Sequence, residues 1–132
     1  MREPQVGTEG ILQRIVTEEL SAARWGNRGV HVLSTPGLAA LFEQASIEAL
    51  QDFLEPGEFT VGTELHVHHL APTPVGMEVE VLSRLVAARD GLLEFEVEAR
   101  DEAGPVGKGS HVRAVLDRAR FDRGVERRRI RG

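Results

Sequence analysis

The chain has 132 residues, room for one domain and not two, and its 41% hydrophobic and 28% charged residues are ordinary for a globular protein. With no cysteine it forms no disulfide, thiolate metal site or cysteine nucleophile, and a formal net charge of -5 argues against nucleic acid as its main partner. No apolar run nears the roughly 20 residues that span a bilayer and the first residues lack a signal-peptide core, so a cytoplasmic protein without membrane association is expected.

Residues 1–9 are polar, hold Pro4 and Gly7, and read as a loose lead-in. Gly10 to Leu20 reads as a first strand, with Leu12, Val16 and Leu20 on one face and Ile11 and Ile15 on the other. Trp25, Gly26, Asn27 and Gly29 make Ser21 to Ser34 a loop. Thr35 then offers an N-cap hydroxyl ahead of Pro36 at the first helical position, residues 37–54 contain no breaker, and Pro56-Gly57 ends the helix. Four strands follow: Phe59 to Leu70, Met77 to Ala88, Leu92 to Arg100 and Val106 to Leu116. In the third of these Leu93, Phe95, Val97 and Ala99 alternate with Glu94, Glu96 and Glu98, as in a strand buried on one face. After Asp117 the chain turns charged, and residues 120–132, with Arg127-Arg128-Arg129-Ile130-Arg131, read as a loose, solvated end. The order predicts a single α+β domain over 1–132, one long helix wrapped by a five-stranded antiparallel sheet.

On a helical wheel of about 100° per residue, Leu38, Phe42, Ala45, Ala49 and Phe53 centre the apolar stripe and Gln44, Glu48 and Gln51 lie opposite. Glu43 does not join them; it falls between Ala39, Leu50 and Leu54, inside the extended apolar sector. A carboxylate there either snorkels out to water or is shielded and held by hydrogen bonds, and spacing alone leaves both open. On the strand from Phe59, period two places Phe59, Val61, Thr63, Leu65, Val67 and His69 on one face, with His66 and His68 on the other. His69 is then either a satisfied core histidine or, beside a shielded Glu43, half of an acid–base pair working near neutral pH. His66 and His68 have no evident third ligand, so no metal site is expected. Thr35 as N-cap is worth on the order of 1 kcal/mol. The same placement sets its hydroxyl at the positive end of the helix, where N–H groups can polarise a carbonyl oxygen. Gly107-Lys108-Gly109-Ser110 is no P-loop, because Glu102 stands where its first glycine belongs, and no Gly-x-Ser-x-Gly elbow occurs.

The strand–helix–four-strand order resembles the hot-dog fold. The segments STPGLAALFEQAS, VGTELHVHHLAPTPVG and GKGSHVRAVLD, extending over most of residues 33–117, resemble the fluoroacetyl-CoA thioesterases and their broader relatives, HHLAPTPVG being the most specific stretch. The resemblance implies a catalytic Thr, Glu and His, which fall on Thr35, Glu43 and His69. It also implies acyl-CoA thioester hydrolysis at a site formed between two protomers, hence a homodimer or a higher oligomer, with the backbone near Gly62 and the Arg113 side chain close to the thioester. Coenzyme A enters as part of the substrate, and no other cofactor is expected. One departure is visible: the fluoroacetate-selective enzyme carries an aromatic lid before the helix, whereas Gly26 and Gly29 occupy much of that stretch here and Trp25 is its only aromatic. That puts fluoroacetyl selectivity in question, but not thioester hydrolysis. The expected activity is hydrolysis of a small acyl-CoA to the acid and free CoA. The alternatives are a non-catalytic acyl-CoA-binding module, an enoyl-CoA hydratase on the same fold, and a purely structural dimer.

Overall fold

Strand β1 (Glu9–Ile15) leads to helix α1 (Thr35–Leu50), which a 3-10 turn (Gln51–Phe53) extends; β2 (Glu58–His69), β3 (Glu78–Arg89), β4 (Leu92–Asp101), β5 (Gly104–Asp117) and α2 (Arg118–Arg127) follow. The structure is a computed structural model that describes residues 1–129. The five strands form one antiparallel sheet in the order β1-β3-β4-β5-β2, with α1 laid across one face, as the hot-dog resemblance implied. Inward residues of β3 and β4 (Val79, Val81, Leu85, Leu93, Phe95, Val97) meet Leu38, Leu41, Phe42, Ala45 and Leu50 of α1 in the core. Each large side chain so buried contributes roughly 1.5–3 kcal/mol. Small residues set how close helix and sheet come. A Cβ on Gly10 would strike the Ala45 carbonyl oxygen and lie 2.8 Å from Ala49 N, and one on Gly107 would lie 2.6 Å from Leu38 Cδ2.

Four local expectations are corrected. First, β1 stops at Ile15, and Glu18–Leu20 and Ala23–Trp25 are 3-10 turns, the former closed by the Ser21 hydroxyl donating to the Glu18 carbonyl at 2.7 Å. Second, residues 1–8 are not loose: Pro4 is buried, Arg2 N–H donates to Phe53 O at 2.9 Å and Gly7 N–H to Leu85 O at 2.8 Å. Third, the charged tail is helical over Arg118–Arg127, capped by Asp117, whose carboxylate accepts from Arg120 N at 2.9 Å. Phe121 meets Phe59 edge-on with centroids 4.9 Å apart, and the Arg118 guanidinium lies 5.0 Å over the same ring. The end of that tail, Ile130 to Gly132, lies outside the described residues.

Fourth, β2 carries a bulge. Gly62 pairs with Arg113 and Glu64 with Val112, so Thr63 is an extra residue and the strand's parity reverses there. Leu65, Val67 and His69 do face the helix, but Phe59 and Val61 do not; Thr60 and Gly62 take that side instead.

The N-cap of α1 is Ser34 rather than Thr35. Its hydroxyl accepts from Gly37 N at 3.0 Å and donates to Leu20 O at 2.8 Å. Proline fits anywhere in the first turn, whose N–H groups have no intrahelical partner, so Pro36 does not mark the start to the residue. Chemical denaturation should show Ser34→Ala destabilised by roughly 1 kcal/mol and Thr35→Ala nearly unchanged. The reverse order would return the cap to Thr35.

Candidate active site

Release from capping leaves the Thr35 hydroxyl at the helix start, where Oγ1 lies 2.8 Å from His69 Nδ1 at the end of β2. Leu33 N–H donates to Thr73 O at 2.8 Å and Leu70 N–H to Val106 O at 2.7 Å, so both partners sit on pinned backbone. Of the first-turn donors, Gly37 N–H and Leu38 N–H are taken by Ser34 and Pro36 has none, which leaves Thr35 to meet an incoming oxygen. His69 Nε2 is enclosed and finds no hydrogen-bond partner among the described residues. Burial pushes the imidazole below its usual pKa near 6.5, and the Ala71 backbone opposes this more weakly. The ring is thus neutral at pH 7 and able to take a proton.

A second group of residues forms where the middle of α1 crosses β2 and β5. Arg113 is 3% exposed, so its charge has to be met inside the protein. Nε donates to Thr60 Oγ1 at 2.9 Å and Nη2 to Thr60 O at 3.0 Å, while Nη1 donates both to Glu43 Oε1 and to His111 Nε2, each at 3.2 Å. Burial pulls Arg113 below its ordinary pKa, and the charge and hydrogen bond of Glu43 push back. It stays cationic, as guanidinium does in proteins. Glu43 is held on Oε1, yet its side chain is 43% exposed, so features of both options open at the sequence level are present: one oxygen is tethered inside while the side chain still reaches solvent. Gly62 makes this possible, because a Cβ there would strike Glu43 Oε1 and lie 3.1 Å from His111 Cε1. The carboxylate opens on a depression of about 220 Å³ lined by Gly62, Thr63, Glu64, Leu65 and His111.

The structure therefore joins Thr35 to His69 and joins Glu43 to Gly62 and Arg113, but it does not join the two groups within one protomer. Eight residues of α1 separate Thr35 from Glu43, about 12 Å along the axis at ~1.5 Å per residue. His66 and His68 lie on the sheet face away from α1, beside Lys108 and Glu98, and no group of three metal-ligating side chains occurs among the described residues. Sequence reading missed His111, which is 1% exposed. Its signal was alternation: in GSHVRAV, His111 and Arg113 share the inward face of β5.

His69 and His111 are both depressed in the folded state, His111 chiefly by burial. Between pH 6.5, the ordinary imidazole value, and their lower folded values the unfolded chain binds more protons, so their contribution is complete above 6.5 and is lost as pH falls. Glu58, depressed by the terminal amine of Met1, adds its own loss only below 4.5. The melting temperature should drop from pH 7 to 5, with a shallower drop for His111→Gln. A flat profile would contradict both assignments.

Similarity to known proteins extends over most of the chain. The model of the fluoroacetyl-CoA-specific thioesterase family matches residues 16–119. The fluoroacetyl-CoA thioesterase of Streptantibioticus cattleyicolor is 35% identical over 97 residues, 74% of this chain and 70% of that one. The solved fluoroacetyl-CoA thioesterase FlK superposes with a TM-score of 0.90 at 27% identity, over 97% of this chain and 99% of that one. A Thermus thermophilus hypothetical protein, described as a thioesterase superfamily member, gives 0.89 at 28% identity over 96% and 94%. A hot-dog-like protein from Thermanaerovibrio acidaminovorans gives 0.87 at 25% over 96% and 94%. The matched span contains both groups of site residues, and the chain belongs to the fluoroacetyl-CoA-specific thioesterase family.

Proposed function

We propose that the protein hydrolyses a small acyl-CoA thioester to the acid and free coenzyme A, in a homodimer whose two sites each draw on both protomers. As a member of this family it is a thioester hydrolase acting on acyl-CoA, and nothing favours the binding module, the hydratase or the structural dimer. The observation that supports the residue roles is the Glu43 carboxylate, tethered through one oxygen to a buried cation on a half-exposed side chain that lines a depression.

In this reading Glu43 supplies the attacking oxygen, its own or that of a water it deprotonates, to the thioester carbon. The C–S bond breaks, the hydroxyl of the water consumed ends on the acyl carbon, and its remaining proton reaches the CoA sulfur through His69. Thr35 holds the carbonyl oxygen as negative charge develops on it. Arg113 holds and aims Glu43 through the bond to Oε1, and Gly62 leaves room for the thioester. Positioned acid–base catalysis contributes about 10²–10⁴-fold and one oxyanion donor about 10²–10³-fold. The reaction needs no cofactor beyond the coenzyme A of the substrate.

The dimer reconciles the separation within a protomer. Strand β2 is one of the sheet's two edge strands, and its outer edge carries no partner strand among the described residues over 12 residues free of proline. Two such edges, paired antiparallel about an axis near residues 65–66, midway between Gly62 and His69, would bring Glu43 of one protomer beside Thr35 and His69 of its partner. Gly26 and Gly29 sit in open turns and Trp25, the only aromatic of that segment, is exposed beside Glu19 and Arg24, so fluoroacetyl selectivity is not proposed. A cytoplasmic location belongs to the same reading; no helix among the described residues is long and apolar enough to cross a membrane.

Thiol release from a panel of short acyl-CoAs should be saturable, and Glu43→Gln should lower kcat by about 10²–10⁴-fold with the fold retained; a fully active variant would refute the role. Crotonyl-CoA should release thiol without first losing its enoyl absorbance. Glu43→Gln and His69→Ala homodimers should each be nearly inactive, whereas subunits mixed in equal amounts should recover roughly a quarter of wild-type activity, since half the dimers would carry one intact site. No recovery would confine the site to one protomer.

A further inference from the structure

His111 belongs to neither residue pair of the proposed reaction, yet it touches the supports of both the carboxylate and the bulge. Its Nδ1 lies 2.8 Å from the carbonyl oxygen of Glu64, and a carbonyl only accepts, so Nδ1 carries the proton. Nε2 of the neutral ring is therefore a bare acceptor, and it takes a hydrogen bond from Arg113 Nη1 at 3.2 Å. That nitrogen has two hydrogens; the other goes to Glu43 Oε1. Glu64 is the residue at which β2 recovers register after Thr63, so the same imidazole fixes the bulge at one end and aims the guanidinium at the other. Arg113 faces the ring from β5 and Glu43 from α1, Glu64 meets it through its backbone from β2, and Phe95 of β4 lies beside it with ring centroids 6.3 Å apart.

We propose that His111 is a positioning residue, which locks Arg113, and through it the Glu43 carboxylate, in register with the Gly62–Glu64 bulge that borders the depression. The inference rests on the hydrolase reading, with Glu43 as the attacking group, and adds to it the device that sets the direction of attack. A carboxylate held by a single bond at 3.2 Å can swing about that bond. Removing the second anchor of Nη1 frees the guanidinium as well. Misplacement of a reacting group by about 1 Å costs on the order of 10²-fold in rate.

Three variants and one spectrum test this. His111→Leu keeps comparable bulk but deletes both hydrogen bonds, and its kcat should fall about 10²-fold with KM for the acyl-CoA little changed. His111→Gln places an amide oxygen near the position of Nε2, able to accept from Nη1, and should restore most of that loss. His111→Asn, which reaches only the Nδ1 position, should not. Nitrogen-15 NMR of the wild-type imidazole should show a protonated Nδ1 and a bare Nε2 at neutral pH, a readout independent of turnover and of any variant's folding. An Nε2–H tautomer, a His111→Leu protein as active as wild type, or a Gln variant no better than Leu would overturn the role. An inactive wild type with the expected tautomer would instead overturn the hydrolase reading.

Discussion

A guanidinium with 3% of its surface exposed is the constraint around which the site is arranged. Burying such a charge is expensive unless each face of it is met by an acceptor. Arg113 is met by the Thr60 hydroxyl and carbonyl, by a neutral imidazole and by one oxygen of Glu43. Three requirements follow from that set. Residue 62 has to be glycine, because a Cβ would occupy the carboxylate's place. His111 has to be uncharged, since a proton on Nε2 would point at the cation. Strand β2 has to bulge, because without the parity reversal at Thr63 the Thr60 side chain would face away from Arg113.

The second pair, Thr35 and His69, depends on a different economy of hydrogen bonds. The Ser34 hydroxyl satisfies the orphan Gly37 amide and ties the helix start to Leu20, while the Ser34 carbonyl takes the first intrahelical bond from Leu38 N–H. The threonine next to Ser34 is left with nothing to cap, and its hydroxyl turns to the imidazole. Each pair is thus held by backbone-anchored neighbours rather than by the other.

How much of this could be read in the sequence depended on whether a feature leaves a periodic trace. The helix, the four later strands and the hot-dog order were legible because apolar spacing is strict in 37–54 and in the alternating glutamates of β4. Thr35, Glu43, His69, Gly62 and Arg113 were singled out as candidates through resemblance, and Glu43 and His69 also through their places on otherwise apolar faces. The bulge was not, since one inserted residue changes no composition and the period-two reading ran straight through it to Phe59. The tail hid its helix for another reason: arginines mask the apolar pair Phe121 and Val125, four residues apart, of which Phe121 packs on Phe59. His111 was passed over because a histidine inside a strand looks like a solvated one until its neighbours are known.

In the proposed reaction Arg113 serves the chemistry through Glu43 and not beside it. A double-mutant cycle on kcat for acyl-CoA hydrolysis, with Arg113→Met and Glu43→Gln singly and together, tests it directly. If the cation works by holding the carboxylate, the double variant loses no more than Glu43→Gln alone. If the two losses multiply, Arg113 acts independently of Glu43 and the arrangement described here is not the catalytic one.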